Sequence, residues 1–490
     1  MEVQTDARYA LGTTSLTIPP IPPVESASML RIGSDLTSRR DFLTVGGLAL
    51  GSLSLPGLLQ ARAMAAQQKL PVTDKSVIFL FMHGGPSQIE TFDPKMTAPP
   101  GVCSVNGEVP TSLAGVTYGS AFPRLAALAH TTTIVRSFKT GDGNHDIKPI
   151  VGKATGGANL GALYARVAGA NRPHSGMPTN VALYPRAVDP STRPVLKQFG
   201  DFESTGAFGS AYSPFAPSGG GDLKNDLRLK LPIDRIDDRR QLLAGLDRLR
   251  RSVDSGGLMA GIDGLRQQAF DTLLGGVADA FNLSREDPAT VRRYDTGPLV
   301  RPDQISKRLH NYPFYVDNAK TLGKLLLLAR RLCERGCGFV TVTTSFVWDM
   351  HADVNNAGVE EGMRYLAPPF DHAVSTFLED VAARGLSEKI LLVCCGEMGR
   401  TPRINGRGGR DHWGNLAPLL LAGGGLKMGR VVGQSTRDAA EPQTEPITIP
   451  NLVSTVLHTL FDVGQLRLVP GVPREIVLAA TGAAPIEELV

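Results

Sequence analysis

Four polar clusters carry the groups from which a metal-dependent active centre is built. The first is His83-Gly84-Gly85-Pro86-Ser87. Its glycines let the backbone turn tightly and approach a ligand, and His83 offers an imidazole, although a single histidine after a strand more often serves structure. The second is Asn144-His145-Asp146, expected to open a helix that ends at Thr155-Gly156-Gly157. Oriented N–H groups would then face an anion; the plainer reading is an N-cap. The third is Trp348-Asp349-Met350-His351. A carboxylate and an imidazole two residues apart can reach one ion from an extended segment, with Asp353 as a further candidate. The fourth runs from Gly396 through Glu397, Arg400 and Arg403 and continues as Gly409-Arg410-Asp411-His412-Trp413. Glu397 and His412 are potential ligands, and Arg400, Arg403, Arg407 and Arg410 can hold an anionic group by forked hydrogen bonds.

This composition suits divalent-metal hydrolysis, in which the ion acidifies water or polarises an ester oxygen. Asp349, His351 and His412 are expected to hold one ion with a coordination position left open. His83 and Glu397, with His145 close by, are expected to form a second, weaker position. These donors admit Zn, Mn or Fe, and Ca with water, so one or two divalent ions are expected.

The clusters need elements that bring them to one place. Apolar runs at 76–82, 132–138, 178–184, 338–344, 389–395 and 416–422 read as buried strands. Helical patterns lie between them at about 315–335, 370–384 and 449–460, the second starting after Pro368-Pro369. Alternation of this kind predicts a doubly wound α/β fold with a mostly parallel sheet flanked by helices. All four clusters then fall at one sheet edge, where open α/β sheets bind ligands. Residues 186–310 differ, with Pro, Gly and Ser clusters and a charged amphipathic helix at 237–253; they read as an inserted, partly helical subdomain.

The net charge of +4 is mild and no basic stripe is visible, so nucleic acid is not expected as a partner. Five cysteines, an odd number, do not form a disulfide framework. Ser38-Arg39-Arg40-Asp41-Phe42-Leu43 precedes an apolar, glycine-bearing stretch and small residues at Ala61, Ala63 and Ala65. Residues 1–65 therefore read as an n-region and a twin-arginine signal peptide, cleaved to leave 66–490 as the main domain. The twin-arginine translocase is the expected partner and the periplasm or cell surface the destination, with no stable membrane span after cleavage. Met29 would give a signal of ordinary length.

The signal, His83-Gly84-Gly85-Pro86-Ser87, Thr91-Phe92-Asp93-Pro94-Lys95, Trp348-Asp349-Met350-His351, Gly396-Glu397-Met398-Gly399-Arg400-Thr401-Pro402 and Gly409-Arg410-Asp411-His412-Trp413 resemble, in this order, one known family. It is the domain of unknown function fifteen-oh-one, a planctomycete-type exported family, and the match runs from about residue 75 to 465. That family is similar to the alkaline phosphatase and sulfatase superfamily. The resemblance implies the same fold with a two-metal site at the strand ends. It departs from the superfamily at His83, where a ligand Asp is usual, and at Glu397-Met398-Gly399, where a His is lost. Asp349, His351 and His412 look like retained ligands. Asn144, His145 and Asp146 stand where a Ser, Thr or Cys nucleophile is usual, so Asn144 and His145 become the catalytic candidates. His145 could attack the ester itself, or water could attack directly while His145 positions it or protonates the leaving group; the direct route is preferred. Arg400 and Arg410 would stabilise the growing charge on the ester oxygens. The expected function is metal-dependent hydrolysis of phosphate or sulfate esters, with a sulfated polysaccharide as a candidate partner. The alternative is a non-catalytic surface or polysaccharide-binding protein that keeps the fold and a metal site.

Overall fold

The longest apolar runs form the centre of the sheet, because a strand covered on both faces has no reason to alternate. The computed structural model describes residues 70–173, 175–217 and 277–490. The twin-arginine segment, Met29 and the charged helix expected at 237–253 lie outside them. Seven strands make the sheet: β1 (Ser76–Phe81), β2 (Thr133–Val135), β3 (Asn180–Leu183), β4 (Phe339–Thr343), β5 (Ile390–Cys395), β6 (Leu419–Gly423) and β7 (Arg430–Val432). Their order is β7-β2-β6-β5-β1-β4-β3. All run parallel except β6, which is antiparallel to both β5 and β2.

Period-two alternation divides each central strand between two cores. Ile78 and Leu80 of β1 face one, shared with α2 (Tyr312–Glu334) and α3 (Val359–Ala383). Val77, Phe79 and Phe81 face the other, shared with α1 (Leu160–Ala168), α4 (Ile449–Leu460) and α5 (Arg474–Thr481). Helices on both faces of a mostly parallel sheet are the doubly wound arrangement expected. Of the described part of the insertion, Phe281, Tyr294 and Val300 join the first core, and the Tyr294 hydroxyl donates to Asp380 on α3 at 2.9 Å. Among the described residues no helix is long and apolar enough to cross a membrane.

Three expectations need correction. The helix expected to begin at Phe370 begins at Val359 and carries Pro368 and Pro369 inside it. Each internal proline costs about 3 kcal/mol. The extra turns bury Val359, Met363, Tyr365 and Leu366, at roughly 1.5–3 kcal/mol for each large side chain, which offsets that cost. The strand expected over 132–138 stops at Val135, and Phe138–Lys139 pairs instead with Ile447–Thr448. Arg136 turns away there to donate to the carbonyls of Phe92 and Thr117. The helix expected from Asp146 to Gly157 does not form; only a 3-10 turn at Lys153–Thr155 is present. Pro149 disfavours helical backbone at Lys148, and the Asp146 side chain accepts from the Lys148 N–H at 3.0 Å instead. Asn144 and His145 therefore sit on a loop, without a helix end to face.

Candidate metal centre

Sheet direction explains why residues so far apart in sequence meet. β1, β2, β4 and β5 all end at one edge, and the loops leaving them carry His83, His145, Asp349 with His351, and Glu397 respectively. β6 runs the other way, so the loop that enters it lies at the same edge and brings His412. The contributing strands β2, β6, β5, β1 and β4 are consecutive neighbours in the sheet.

Asp349 stands at the centre, only 3% exposed. Its Oδ1 is 3.3 Å from His412 Nε2, and its Oδ2 is 3.5 Å from His145 Nε2 and 3.0 Å from His351 Nε2. Arg400 donates to Oδ1 at 2.6 Å and Asn356 donates to Oδ2 at 3.0 Å. Burial alone would raise the Asp349 pKa, but the imidazoles of His145, His351 and His412 and the Arg400 guanidinium hold the carboxyl well below the usual range.

His145 Nδ1 lies 3.0 Å from Glu397 Oε1. An ionised carboxylate only accepts, so Nδ1 carries the hydrogen and Nε2 is turned toward the cluster. Glu397 is fully buried and is fixed by the Gly84 N–H, which donates to both carboxylate oxygens at 3.0 and 3.2 Å. Gly84 has φ +112°, and a β-carbon there would lie 2.6 Å from the Asp349 nitrogen, so only glycine fits. Burial opposes charge on His145, yet Asp349 and Glu397 outweigh it and raise its pKa. Phe199 and Phe346, stacked at 4.5 Å, wall the His145 ring at 5.3 and 4.6 Å between centroids.

His145 Nε2 and His412 Nε2 are 3.0 Å apart. His145, Asp349 and His412 thus present three ligand atoms within 4.8 Å of one another. Metal–ligand bonds of about 2.0–2.1 Å place neighbouring donors roughly 3.3 Å apart at tetrahedral angles. The imidazoles are 3.0 Å apart, and each meets a different oxygen of the Asp349 carboxylate, His412 at Oδ1 (3.3 Å) and His145 at Oδ2 (3.5 Å), so the group is compact enough for one small divalent ion. The His412 side chain is 35% exposed, which leaves an approach from solvent.

The remaining candidates divide. His351, expected to share the first ion, touches Asp349 but stands outside this trio, and its place is taken by His145. His83 is almost completely buried among the rings of Phe81, Phe199, Phe202 and Phe346, and among the described residues its Nε2 has no hydrogen-bond partner. Burial lowers its pKa, despite Glu397 and Asp349 nearby, and so favours the neutral ring. Asn144 is exposed, and its N–H donates to Asp142. Arg400 is wholly buried and spends its donors on Asp349 and the carbonyls of Gly84, Gly85 and Arg410. Arg410 is committed to Glu90 at 2.9 Å and to the carbonyls of Thr401, Pro402, Val102 and Cys103. Neither guanidinium keeps a donor group free for an ester.

Sequence reasoning passed over Asn356, Phe199, Phe202 and Phe346. Phe346 lies three residues before Asp349 on the same strand exit, a position that could have drawn attention to it. Phe199 and Phe202 come from the unpatterned insertion and gave no signal.

Fold and site define a doubly wound α/β protein with a histidine–carboxylate cluster at the strand ends. Residues 74–488 match the family described as "Protein of unknown function (DUF1501)", and the chain belongs to that family. No curated protein matches it. Among solved structures it is similar to the sulfatase PsFucS1 from Pseudoalteromonas sp., at 10% identity and a TM-score of 0.34, over 82% of this chain and 70% of that one. It is similar also to the phosphonate monoester hydrolase of Agrobacterium radiobacter, at 10% identity and a TM-score of 0.32, over 78% and 73%.

Proposed function

We propose that this protein is a metal-dependent hydrolase of phosphate or sulfate esters, with one divalent ion held by His145, Asp349 and His412. The observation that carries the reading is that one ligand atom from each of the three residues lies within 4.8 Å of the others, with the two imidazole nitrogens 3.0 Å apart, which suits a common ion. A bound ion would supply Lewis acidity for the ester oxygen and acidify water. The chain's own residues do the rest. Glu397 fixes the His145 tautomer, Arg400 and Asn356 fix the Asp349 carboxylate, and the phenylalanine wall keeps water from the inner side. His351, beside Asp349 and outside the trio, is placed to protonate a leaving group. Glu397 serves as a support for His145 in this reading rather than as a ligand of a second ion.

Export by the twin-arginine route, on the strength of Arg39 and Arg40, belongs to the same proposal, with the periplasm or cell surface as destination. The test is metal analysis of the purified mature protein beside a panel of phosphate and sulfate esters. About one ion per chain, lost in His412→Ala together with hydrolysis, is the expected result; full metal content in that variant overturns the assignment.

A second reading, a binding protein that holds an ion without turnover, is favoured by one observation. Arg400 and Arg410 are spent on internal partners, so neither is left to neutralise an ester. Stoichiometric metal without hydrolysis of any ester in the panel would establish it.

A further inference from the structure

Beside the cluster lies a cavity of about 910 Å³ whose lining includes Arg308, Asp353, Asn356, Arg364 and Arg407. Its size is in the range of small-molecule sites. It shares a wall with the metal centre. Asn356 lines the cavity and donates to Asp349, and Asp353 Oδ2 is 4.0 Å from His351 Nδ1. The loop on the far side, with Arg407 and Gly408, runs on to His412, and Gly408 accepts from the Val359 N–H at 3.0 Å where the two walls meet.

We propose that this cavity binds the body of the substrate, a hydroxylated, sugar-like group bearing a second anionic substituent that Arg407 receives. The inference rests on the reading above for the position of the ester. Three arginines face three carboxylates here, and most are already matched. Arg308 pairs with Glu361 at 3.1 Å and Arg364 with Glu360 at 3.2 Å. Asp353 accepts from the N–H groups of Asn355 and Asn356 at 2.9 and 2.7 Å. Paired charges expose donors and acceptors side by side without net charge, which suits vicinal hydroxyls. Arg407 is the exception. Among the described residues its guanidinium makes no ion pair or hydrogen bond, and only its backbone N–H is engaged, by Asn405. An exposed arginine at the mouth of a polar cavity is a forked donor without an acceptor, suited to a carboxylate or a sulfate.

The experiment is calorimetric titration of EDTA-treated mature protein with digalacturonate, with a disulfated disaccharide and with lactose. The charged disaccharides are expected to bind at least about tenfold more tightly than lactose, with Arg407→Ala removing that preference and His412→Ala keeping it. Binding of one charged ligand alone names the substituent as carboxylate or sulfate. Equal affinity for all three ligands, no binding of any, or an unchanged preference in Arg407→Ala overturns the proposal. Because the titration uses metal-free protein, it separates the two readings. A parent protein that shows no preference beside intact metal content and ester hydrolysis removes only the cavity's role. Retained preference in a protein without metal or hydrolysis removes only the hydrolase.

Discussion

Replacing Asp349 by Asn keeps the shape and one acceptor oxygen, but removes the charge from the centre of the cluster and turns the other acceptor into a donor. Arg400, wholly buried, then loses the carboxylate that Nη2 meets at 2.6 Å. Breaking a buried pair by removing one partner costs about 3–5 kcal/mol. The amide oxygen still accepts one hydrogen bond, and the Gly84 and Gly85 carbonyls still receive the guanidinium. The loss should therefore fall at or below the low end of that range, about 2–3 kcal/mol. Over the roughly 360 described residues the entropy of unfolding is about 0.8 kcal/mol/K, so the metal-free variant should melt about 3–4 °C below the metal-free parent. The second half of the assay adds metal. At 100 times Kd a bound ion stabilises by about 2.7 kcal/mol, close to 3 °C here. The parent should gain that shift and Asp349→Asn should not. A variant that melts with the parent in EDTA would refute the charge argument, and one that gains the full metal shift would refute the ligand assignment.

Four further outcomes are expected. Glu397→Gln, which spares all three ligand side chains, should weaken metal binding about 10–100-fold in a competition titration with a chelating dye, because the uncharged amide has one acceptor oxygen for both the Gly84 N–H and His145 Nδ1 and holds the His145 tautomer less firmly. Ser345 has φ +82° and a buried hydroxyl without a partner among the described residues, so Ser345→Gly should raise the stability seen in urea unfolding by about 1 kcal/mol. Cys333, Cys337, Cys394 and Cys395 are buried, and burial pushes the Cys337 thiol up to about 12. A thiol reagent should therefore find at most Cys103 in the native protein and all five thiols after denaturation. If a chiral phosphate ester is hydrolysed, inversion at phosphorus is expected from direct attack by water, and retention would point to a covalent intermediate instead.

The sheet was legible because buried parallel strands leave long apolar runs: 76–82 and 389–395 differ from β1 and β5 by a single residue at one end. The edge at which the clusters gather followed from that topology. What escaped was set by contacts between distant segments. His145 could be read as polar and near the site, but not as the partner of His412, 267 positions away. Arg400 and Arg410 invited an anionic substrate. The carbonyls of Gly84 and Val102 that absorb them come from loops more than 300 residues earlier, and sequence spacing holds no trace of that pairing. Pro368-Pro369 marked a helix start by local rules, and burial of Met363 and Leu366 overrode them.

The distance in sequence between β1 and its neighbours also bears on when the molecule can assemble. β1 emerges early from the ribosome, yet its two sheet neighbours lie at Phe339–Thr343 and Ile390–Cys395, and the last member of the trio arrives only at His412. A nascent chain released or stalled before that point contains His83, His145, Asp349 and Glu397 without the wall that closes around them. Such long-range pairing delays folding until nearly the whole polypeptide is available. An ion held by the trio would therefore be bound late, once residue 412 is available, and for a chain exported in folded form it would be loaded in the cytoplasm before passage through the membrane. The metal held by the mature protein would then reflect the ion supply of the compartment it left.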